Sequence, residues 1–468
     1  MKLNDLIASL RVQQTEGDTN CRITDIQSDS RKIESGALFV AVKGTTVDGH
    51  DCIDNAIAQG ASAIVCERIP EEMSGRVPFV VVPDTAEALG LLLDTWYGHP
   101  SAKLALVGVT GTNGKTTIAT VLYELFRRMG YKAGLLSTVC NCIDGEVRPS
   151  THTTPDPVTL HALIARMAEV GCEYAFMEVS SHAVVQQRIS GLTFAGGIFT
   201  NLTRDHLDYH LTTENYLKAK KTFFDGLPAT AFALTNMDDK SGMVMLQNTA
   251  ARKLTCSLHT LADFKGKILE SHIDGSELQI DGREVHVHFA GRFNACNLLA
   301  IYGAAMTLGC KPEETLTALS ALRPVTGRFE TFTSPRGYTA VVDYAHTPDA
   351  LANVLNSIRE VLGSRGRILA VIGAGGNRDH GKRPLMAREA CRWSDQIILT
   401  SDNPRFEDPD DIIRQMFVGA DKRDQERMLC IADRREAIRT AAQLAQKGDI
   451  ILIAGKGHED YQEIRGVK

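Results

Sequence analysis

The sequence predicts an α/β protein of three domains: a small α/β N-terminal domain, a central parallel-sheet domain built around a phosphate loop, and a C-terminal Rossmann-like doubly wound domain. Three observations carry that prediction. Strand-like apolar runs alternate with helical ones along most of the chain, as in parallel sheets covered by helices on both faces. At 468 residues the chain is too long for one core, and a prior of roughly three domains follows. Glycine-rich turns, acids and amides follow the strands directly, at Gly111, Glu178, Asn201, Asp343, Gly373, Asp402 and Gly455. Ligands of open parallel sheets bind at the carboxyl ends of strands, so two such loaded edges predict an active site between two domains.

In order, strands are expected at 37–42, 61–66 and 79–82, then a helix over 85–97 and a linker at Gly98-His99-Pro100-Ser101. A strand at 104–109 runs into a glycine-rich turn. The helix that follows carries Ile118, Val121, Leu122, Leu125 and Met129 on one face and ends at Gly130. Further strands are read at 174–179, 197–200 and 232–235. The pattern restarts near Gly327, with strands at 339–342, 368–372, 396–400, 428–431 and 450–454. These runs divide the chain into domains at 1–98, 99–326 and 327–468.

Composition excludes several classes. A 43% hydrophobic and 23% charged chain is that of a soluble globular enzyme. With 51 Lys+Arg against 57 Asp+Glu the net charge is −6, which argues against a nucleic-acid partner. No apolar run nears the roughly 18–20 residues of a membrane helix. Met1-Lys2-Leu3-Asn4-Asp5 lacks the apolar core of a signal peptide. No membrane insertion and a cytoplasmic location are therefore expected. The 11 cysteines are scattered, with Cys140 and Cys142 the only close pair, so neither a zinc site nor a disulfide framework is supported.

The segment Gly108-Val109-Thr110-Gly111-Thr112-Asn113-Gly114-Lys115-Thr116-Thr117 follows an apolar strand and opens an amphipathic helix, the context a phosphate loop requires. Glycines let backbone N–H groups close around phosphate oxygens, and the helix start adds the positive end of its dipole. Lys115 is placed to reach the β- and γ-phosphates, and the Thr116 hydroxyl to ligate Mg²⁺. The strict G-x-x-x-x-G-K-[ST] spacing fails at Val109, which stands in place of the first glycine. Use of ATP or GTP follows.

With its asparagine, Gly111-Thr112-Asn113-Gly114-Lys115-Thr116 resembles the Mur ligase family rather than kinases or GTPases. Other segments resemble the same family across nearly the whole chain. They include Asp29-Ser30-Arg31, Asp48-Gly49-His50, Thr153-Thr154-Pro155-Asp156, Glu178-Val179-Ser180-Ser181-His182 and Asp205-His206-Leu207-Asp208-Tyr209-His210. The C-terminal part adds Gly327-Arg328-Phe329-Glu330, Asp343-Tyr344-Ala345-His346-Thr347-Pro348 and Gly455-Lys456-Gly457-His458-Glu459. The resemblance implies a monomeric, ATP- and Mg²⁺-dependent ligase of peptidoglycan precursor synthesis. Such an enzyme adds meso-diaminopimelate to UDP-N-acetylmuramoyl-L-alanyl-D-glutamate through an acyl phosphate. An L-lysine-adding relative and, further off, a folylpolyglutamate-type ligase are the alternatives.

The resemblance also implies roles for residues. Glu178, His206 and Thr116 belong to the metal site, and Lys220, in Tyr216-Leu217-Lys218-Ala219-Lys220, matches the lysine that the family carries as a carbamate (N6-carboxylysine). Carbamylation needs a neutral amine, which burial and the neighbouring cations Lys218 and Lys221 would favour. Gly111, Thr112, Asn113, Gly114, Lys115, Thr116 and Thr117 take the ATP phosphates, Asn294 and Asn297 lie near the base, Arg328 at the phosphates and Asp343 near the ribose. Asn294 and Asn297 read equally well as helix N-caps. Ser30 contacts the uridine diphosphate end, and Asn113, Thr153, Thr154, Ser180, Gln186 and Arg188 hold the muramoyl dipeptide.

Ser401-Asp402-Asn403-Pro404-Arg405 resembles the signature of diaminopimelate-adding members, with Arg378, Gly455 and Glu459 completing that pocket. A guanidinium fork at Arg405 suits the second carboxylate of diaminopimelate, and lysine, lacking it, would leave the fork unpaired. Glu459 would take the distal ammonium. No general base is evident; His182 and His346 are candidates. Two departures stand out: Leu211 replaces a glycine common in the family, and the family runs on by some residues past the position of Lys468.

Overall fold

The computed structural model describes residues 1–44, 47–73, 75–150 and 152–468. Among them the chain forms three sheets, of five, eleven and six strands. In the N-terminal sheet, Phe79–Val81, Ala63–Cys66, Leu38–Val40 and Ile26–Gln27 run parallel in that spatial order. Gln14–Glu16 closes one edge antiparallel. Leu38, Phe39, Val40, Ala63, Ile64 and Val65 are buried on both faces, which is why these strands read as continuous apolar runs rather than alternating ones.

The centre of the eleven-stranded sheet is parallel. Ala105–Thr110 lies between Tyr174–Glu178 and Gly196–Phe199, so the three loops leaving these strands share one edge. Helix Lys115–Arg128 buries Ile118, Val121, Leu122 and Leu125 against this sheet, the face expected from its spacing. Each such side chain contributes about 1.5–3 kcal/mol when fully buried. Gly130, at φ 92°, ends it in the left-handed conformation that a glycine takes without strain.

Both edges of this sheet depart from the parallel expectation. Cys140–Ile143 and Glu146–Pro149 form an antiparallel hairpin at one edge, and Phe264–His272, Gly275–Ile280 and Arg283–Val287 form an antiparallel meander at the other. Two of the turns are Asp144-Gly145 and Asp281-Gly282, with φ of 46° and 97° and of 46° and 81°, the dipeptide and dihedrals of a two-residue hairpin. In the last two of these strands Leu278, Ile280, Val285 and Val287 are buried and alternate with more exposed residues, because one face packs on helices Arg292–Thr307 and Pro312–Ser320 and the other meets solvent.

In the third sheet Thr339–Asp343, Ile450–Ala454, Ile368–Ile372, Gln396–Leu399 and Met428–Cys430 are parallel, with Glu330–Thr333 antiparallel at the edge. Their carboxyl ends face the phosphate-loop edge of the central sheet.

The N-terminal sheet unit docks on the central one through helix Thr85–Trp96, where a side chain at Gly90 would collide with the Ser190 backbone. Beneath it His161 Nε2 lies 3.1 Å from Ser190 O. Burial pulls the His161 pKa down to about 4, so the ring is neutral in the fold, whereas in the unfolded chain it protonates near pH 6.5. The unfolded state therefore binds more protons between these values. The contribution is complete above about pH 6.5 and is lost as pH falls towards 4. On the order of 2 kcal/mol should disappear between pH 7 and 5. Denaturant titrations should register this loss, and His161→Gln should flatten it; a variant with the wild-type pH dependence would exclude His161 as its source.

Candidate active site

The phosphate loop leaves Ala105–Thr110 by a turn that only glycine fits. Gly111 is at φ 146°, and a Cβ there would lie 1.8 Å from Thr200 Oγ1; at Gly114, φ 90°, it would lie 2.6 Å from Asn297 Oδ1. The turn thus starts at Gly111, and Val109 stays in the strand, fully buried. Asn201 pins the loop from the next strand: its backbone carbonyl accepts from Thr112 N at 2.8 Å, and Asn113 N donates to its Oδ1 at 2.9 Å. Lys115 Nζ folds back on its own loop, donating to Gly111 O at 3.0 Å and Thr112 O at 2.8 Å. Loss of water lowers its pKa, against the opposing pull of Glu178 and Asp205.

Glu178 ends the strand beside the loop and is 1% exposed. Its carboxylate accepts from Thr116 Oγ1 at 3.0 Å and from Thr138 N at 2.7 Å. Arg328, from the C-terminal unit, donates to Thr116 Oγ1 at 3.2 Å and lies over the Tyr344 ring at 4.2 Å. Its Nη1 is buried and finds no partner among the described residues, a donor suited to an anion. Asp343 accepts from Phe329 N at 2.8 Å and Ala345 N at 2.7 Å; burial raises its pKa, opposed by Arg328.

Lys220 is 1% exposed, and its Nζ donates to Gly111 O at 2.7 Å, above the Tyr216 ring at 4.5 Å. Burial pushes its pKa well below the usual lysine range, and Lys115 adds to the shift. This corrects one expectation. Lys218 is exposed and Lys221 pairs with Asp225 at 2.6 Å, because residues one and two positions away on a helix point elsewhere. The cation that acts on Lys220 comes from the phosphate loop.

Among the described residues no three His, Cys, Asp or Glu side chains converge as a metal cluster. Thr116 and Glu178 nevertheless form an adjacent hydroxyl–carboxylate pair, and Mg²⁺ is commonly held by one or two carboxylates with water and substrate phosphates. The donor set therefore fits Mg²⁺ bound together with a nucleotide. His206 sits at φ 53° with Nε2 3.4 Å from Asp205 Oδ2. Burial takes its pKa down to about 3 despite Asp205, and that of His182 to about 4, so both rings are neutral, as a metal ligand or a base must be.

One cleft of about 800 Å³ is lined from the central sheet by the loop residues Thr112 to Thr117 and by Glu178, His206 and Lys220, and from the C-terminal sheet by Arg328, Asp343, Arg378 and Glu459. Thr153, Thr154, Ser180, Arg188, Asn297, Asp402, Asn403, Arg405 and Gly455 also line it. Thr154 Oγ1 donates to Glu178 O at 2.8 Å and accepts from Ser180 N at 3.1 Å, while Arg188 Nη1 donates to Thr154 O at 2.9 Å. Gln186 stands behind the wall, accepting from Arg188 Nη2 at 2.6 Å.

Five expected residues do not line the cleft: Ser30, Gly111, Gln186, Asn294 and Pro404. Ser30 lies in the N-terminal unit, its hydroxyl accepting from Asn55 at 3.2 Å. Asn294 is buried and donates to Ala290 O at 2.8 Å. The helix begins at Arg292 with Gly291 as its cap, so neither Asn294 nor Asn297 is an N-cap. Leu211, at φ 67° and ψ −44° and 75% exposed, is the centre of a γ-turn closed by Thr212 N donating to His210 O at 2.8 Å, a strained conformation that costs about 1–3 kcal/mol.

Several residues of the cleft escaped the sequence reading as site residues. Asp205 is buried 3.4 Å from His206 and 3.8 Å from His346. Asp349 accepts from Asn113 Nδ2 at 3.4 Å, and Arg204 pairs with Asp379 at 3.4 Å, both across the two sheets. Asp205 adjoins His206 in a quoted motif and could have been found there. Asp379 likewise adjoins Arg378, whereas Asp349 has no local signal, because its partner Asn113 is distant in sequence.

Three family profiles cover most of the chain: Mur ligase family, catalytic domain, over 22–97; Mur ligase middle domain, over 109–305; and Mur ligase, glutamate ligase domain, over 327–457. A relative in Parabacteroides distasonis, named UDP-N-acetylmuramoyl-L-alanyl-D-glutamate--2,6-diaminopimelate ligase, is 70% identical over 468 residues, covering 100% of this chain and 96% of that one. The protein of the same name in Phocaeicola vulgatus is 63% identical, covering 100% and 97%. A solved structure of a UDP-N-acetylmuramoyl-L-alanyl-D-glutamate--2,6-diaminopimelate ligase shares 33% identity and a TM-score of 0.71, covering 100% and 96%. These proteins match the chain in sequence and in fold from end to end, and the chain belongs to the Mur ligase family.

Proposed function

We infer that the protein is an ATP-dependent ligase joining meso-diaminopimelate to UDP-N-acetylmuramoyl-L-alanyl-D-glutamate, a step of peptidoglycan precursor synthesis. The observation that carries this reading is a phosphate loop and an Asp402-Asn403-Pro404-Arg405 turn facing one another across a single cleft. The relatives' names supply the substrates. We assign 1–98 to the UDP end of the substrate, with Ser30 as a contact, 99–326 to ATP, and 327–468 to the amino acid. A monomer working in the cytoplasm fits this role; no helix among the described residues is long and apolar enough to cross a membrane.

The chemistry is acyl activation. The D-glutamyl carboxylate attacks the γ-phosphorus of ATP, forming the acyl phosphate and releasing ADP. The amino group of diaminopimelate then attacks the acyl carbon, phosphate leaves, and the amine loses a proton. Lys115 and Arg328 bring positive charge to the phosphoryl oxygens, and the fixed loop and wall of Thr153, Thr154, Ser180 and Arg188 orient the carboxylate. Thr116, Glu178, His206 and Lys220 as its carbamate would hold Mg²⁺, which supplies charge neutralisation at the phosphates. We assign Asn297 to the base and Asp343 to the ribose, both residues lining the cleft. His182 and His346 are neutral candidates to take the proton.

At the other end of the cleft, Arg405 supports recognition of a carboxylate. Asp402 Oδ2 is buried without a donor among the described residues and supports recognition of an ammonium, with Asn403, Gly455 and Glu459 around it. Phosphate release from Mg-ATP with UDP-N-acetylmuramoyl-L-alanyl-D-glutamate should depend on meso-diaminopimelate and be weak with L-lysine. Equal release with lysine would remove the specificity reading, and no release with either would remove the ligase reading.

A further inference from the structure

Beside the Asp402–Arg405 turn the chain places a carboxylate and an ammonium of its own, Glu463 and Lys456. Arg405 Nε donates to Glu463 Oε2 at 3.1 Å. Lys456 Nζ donates to Asn403 Oδ1 and to Glu459 Oε2, both at 2.9 Å. The segment bearing these groups is laced to the Asp402–Arg405 turn: Arg405 N donates to Glu463 O at 2.9 Å, Arg465 N to Arg405 O at 2.7 Å, and Glu463 N to Asn403 Oδ1 at 2.9 Å. Gln462 Nε2 adds a bond to Asp402 O at 2.7 Å. The backbone therefore fixes Glu463 beside Arg405, and its carboxylate takes the Nε edge of the guanidinium while Nη1 donates to Gly376 O at 2.9 Å.

We propose that Glu463 is a specificity-determining residue: an internal carboxylate that competes with the distal carboxylate of the incoming amino acid for Arg405. This rests on the diaminopimelate reading of the pocket. Side-chain exposures of 20% for Arg405 and 25% for Glu463 leave the pair wet enough to open. Binding the substrate then exchanges one carboxylate for another, so the net gain is smaller than for a bare guanidinium. By the same logic Arg405 is not left uncompensated when lysine enters, so Glu463 narrows the margin between the two amino acids.

Glu463→Gln keeps the side chain's size and an acceptor oxygen but removes its charge. The KM for meso-diaminopimelate should fall about ten-fold, and the ratio of kcat/KM for diaminopimelate over lysine should rise by a similar factor. Calorimetric binding of diaminopimelate in the presence of ADP should tighten in step, and Glu463→Ala should move both quantities in the same direction. A KM unchanged or raised in both variants, in an enzyme whose wild type uses diaminopimelate, would overturn the role of Glu463 alone. A wild type with no diaminopimelate-dependent phosphate release would overturn the proposed function and this role with it.

Discussion

Lys220→Met is expected to lower ATP-dependent phosphate release about 10³-fold while the thermal midpoint holds or rises. Methionine keeps most of the aliphatic stem, so packing among the buried residues of helix Thr213–Asp225 survives. What disappears is an amine without a carboxylate within ion-pair distance among the described residues, one that shares the carbonyl of Gly111 with Lys115, at 2.7 Å and 3.0 Å. Two ammonium groups on one acceptor repel, and burial disfavours charge at both. A neutral Lys220 nitrogen can attack the carbon of CO₂ and release one proton, turning the repulsive pair into an ion pair of carbamate and Lys115. The carbamate also brings two hard oxygens to the side of the cleft where Mg²⁺ is assigned. Phosphate release and calorimetric melting test the variant. ¹³C-bicarbonate should add a carbamate resonance to the wild type that Lys220→Met lacks. Full activity in the variant would sink the role of Lys220.

The reasons some of this was legible, and some not, are physical. The phosphate loop is local: its glycines, lysine and threonine are contiguous, and the strand and helix on either side announce themselves by burial pattern. Glu178 and Asp343 were legible as acids at strand ends, because topology alone brings those ends to one edge. The antiparallel edges were missed, although Asp144-Gly145 and Asp281-Gly282 are hairpin dipeptides and Gly275–Ile280 alternates; the strand–helix rhythm elsewhere masked a period of two. The partner of Lys220 was misread because Lys218 and Lys221 are close in sequence, whereas Lys115 is close only after the helix docks on the loop. Glu463 beside Arg405 had no signal at all. A carboxylate in a short C-terminal segment looks like solvated surface until the backbone bonds to Asn403 and Arg405 are known.

Arg405→Ala is expected to lower kcat/KM for meso-diaminopimelate about 10²–10³-fold, the effect of removing one partner of a buried charge-assisted pair. The value for L-lysine should stay nearly constant, since lysine has no carboxylate to lose at that end. Arg405→Lys separates charge from shape: an ammonium keeps the positive charge but cannot present two parallel donors. It should therefore fall between the wild type and alanine. Arg405 is held at φ 51°, outside the range a side chain prefers, and all three residues bear that strain alike. Melting curves should differ little, because Glu463, with a quarter of its side chain exposed, can turn to water. The decisive comparison is a double-mutant cycle. If Glu463 acts through Arg405, Glu463→Gln should lower the KM for diaminopimelate in the wild-type background and leave it unmoved beside Arg405→Ala. An equal shift in both backgrounds would mean that Glu463 reaches the substrate by another route. Unchanged diaminopimelate kinetics in Arg405→Ala would place the carboxylate subsite elsewhere in the cleft.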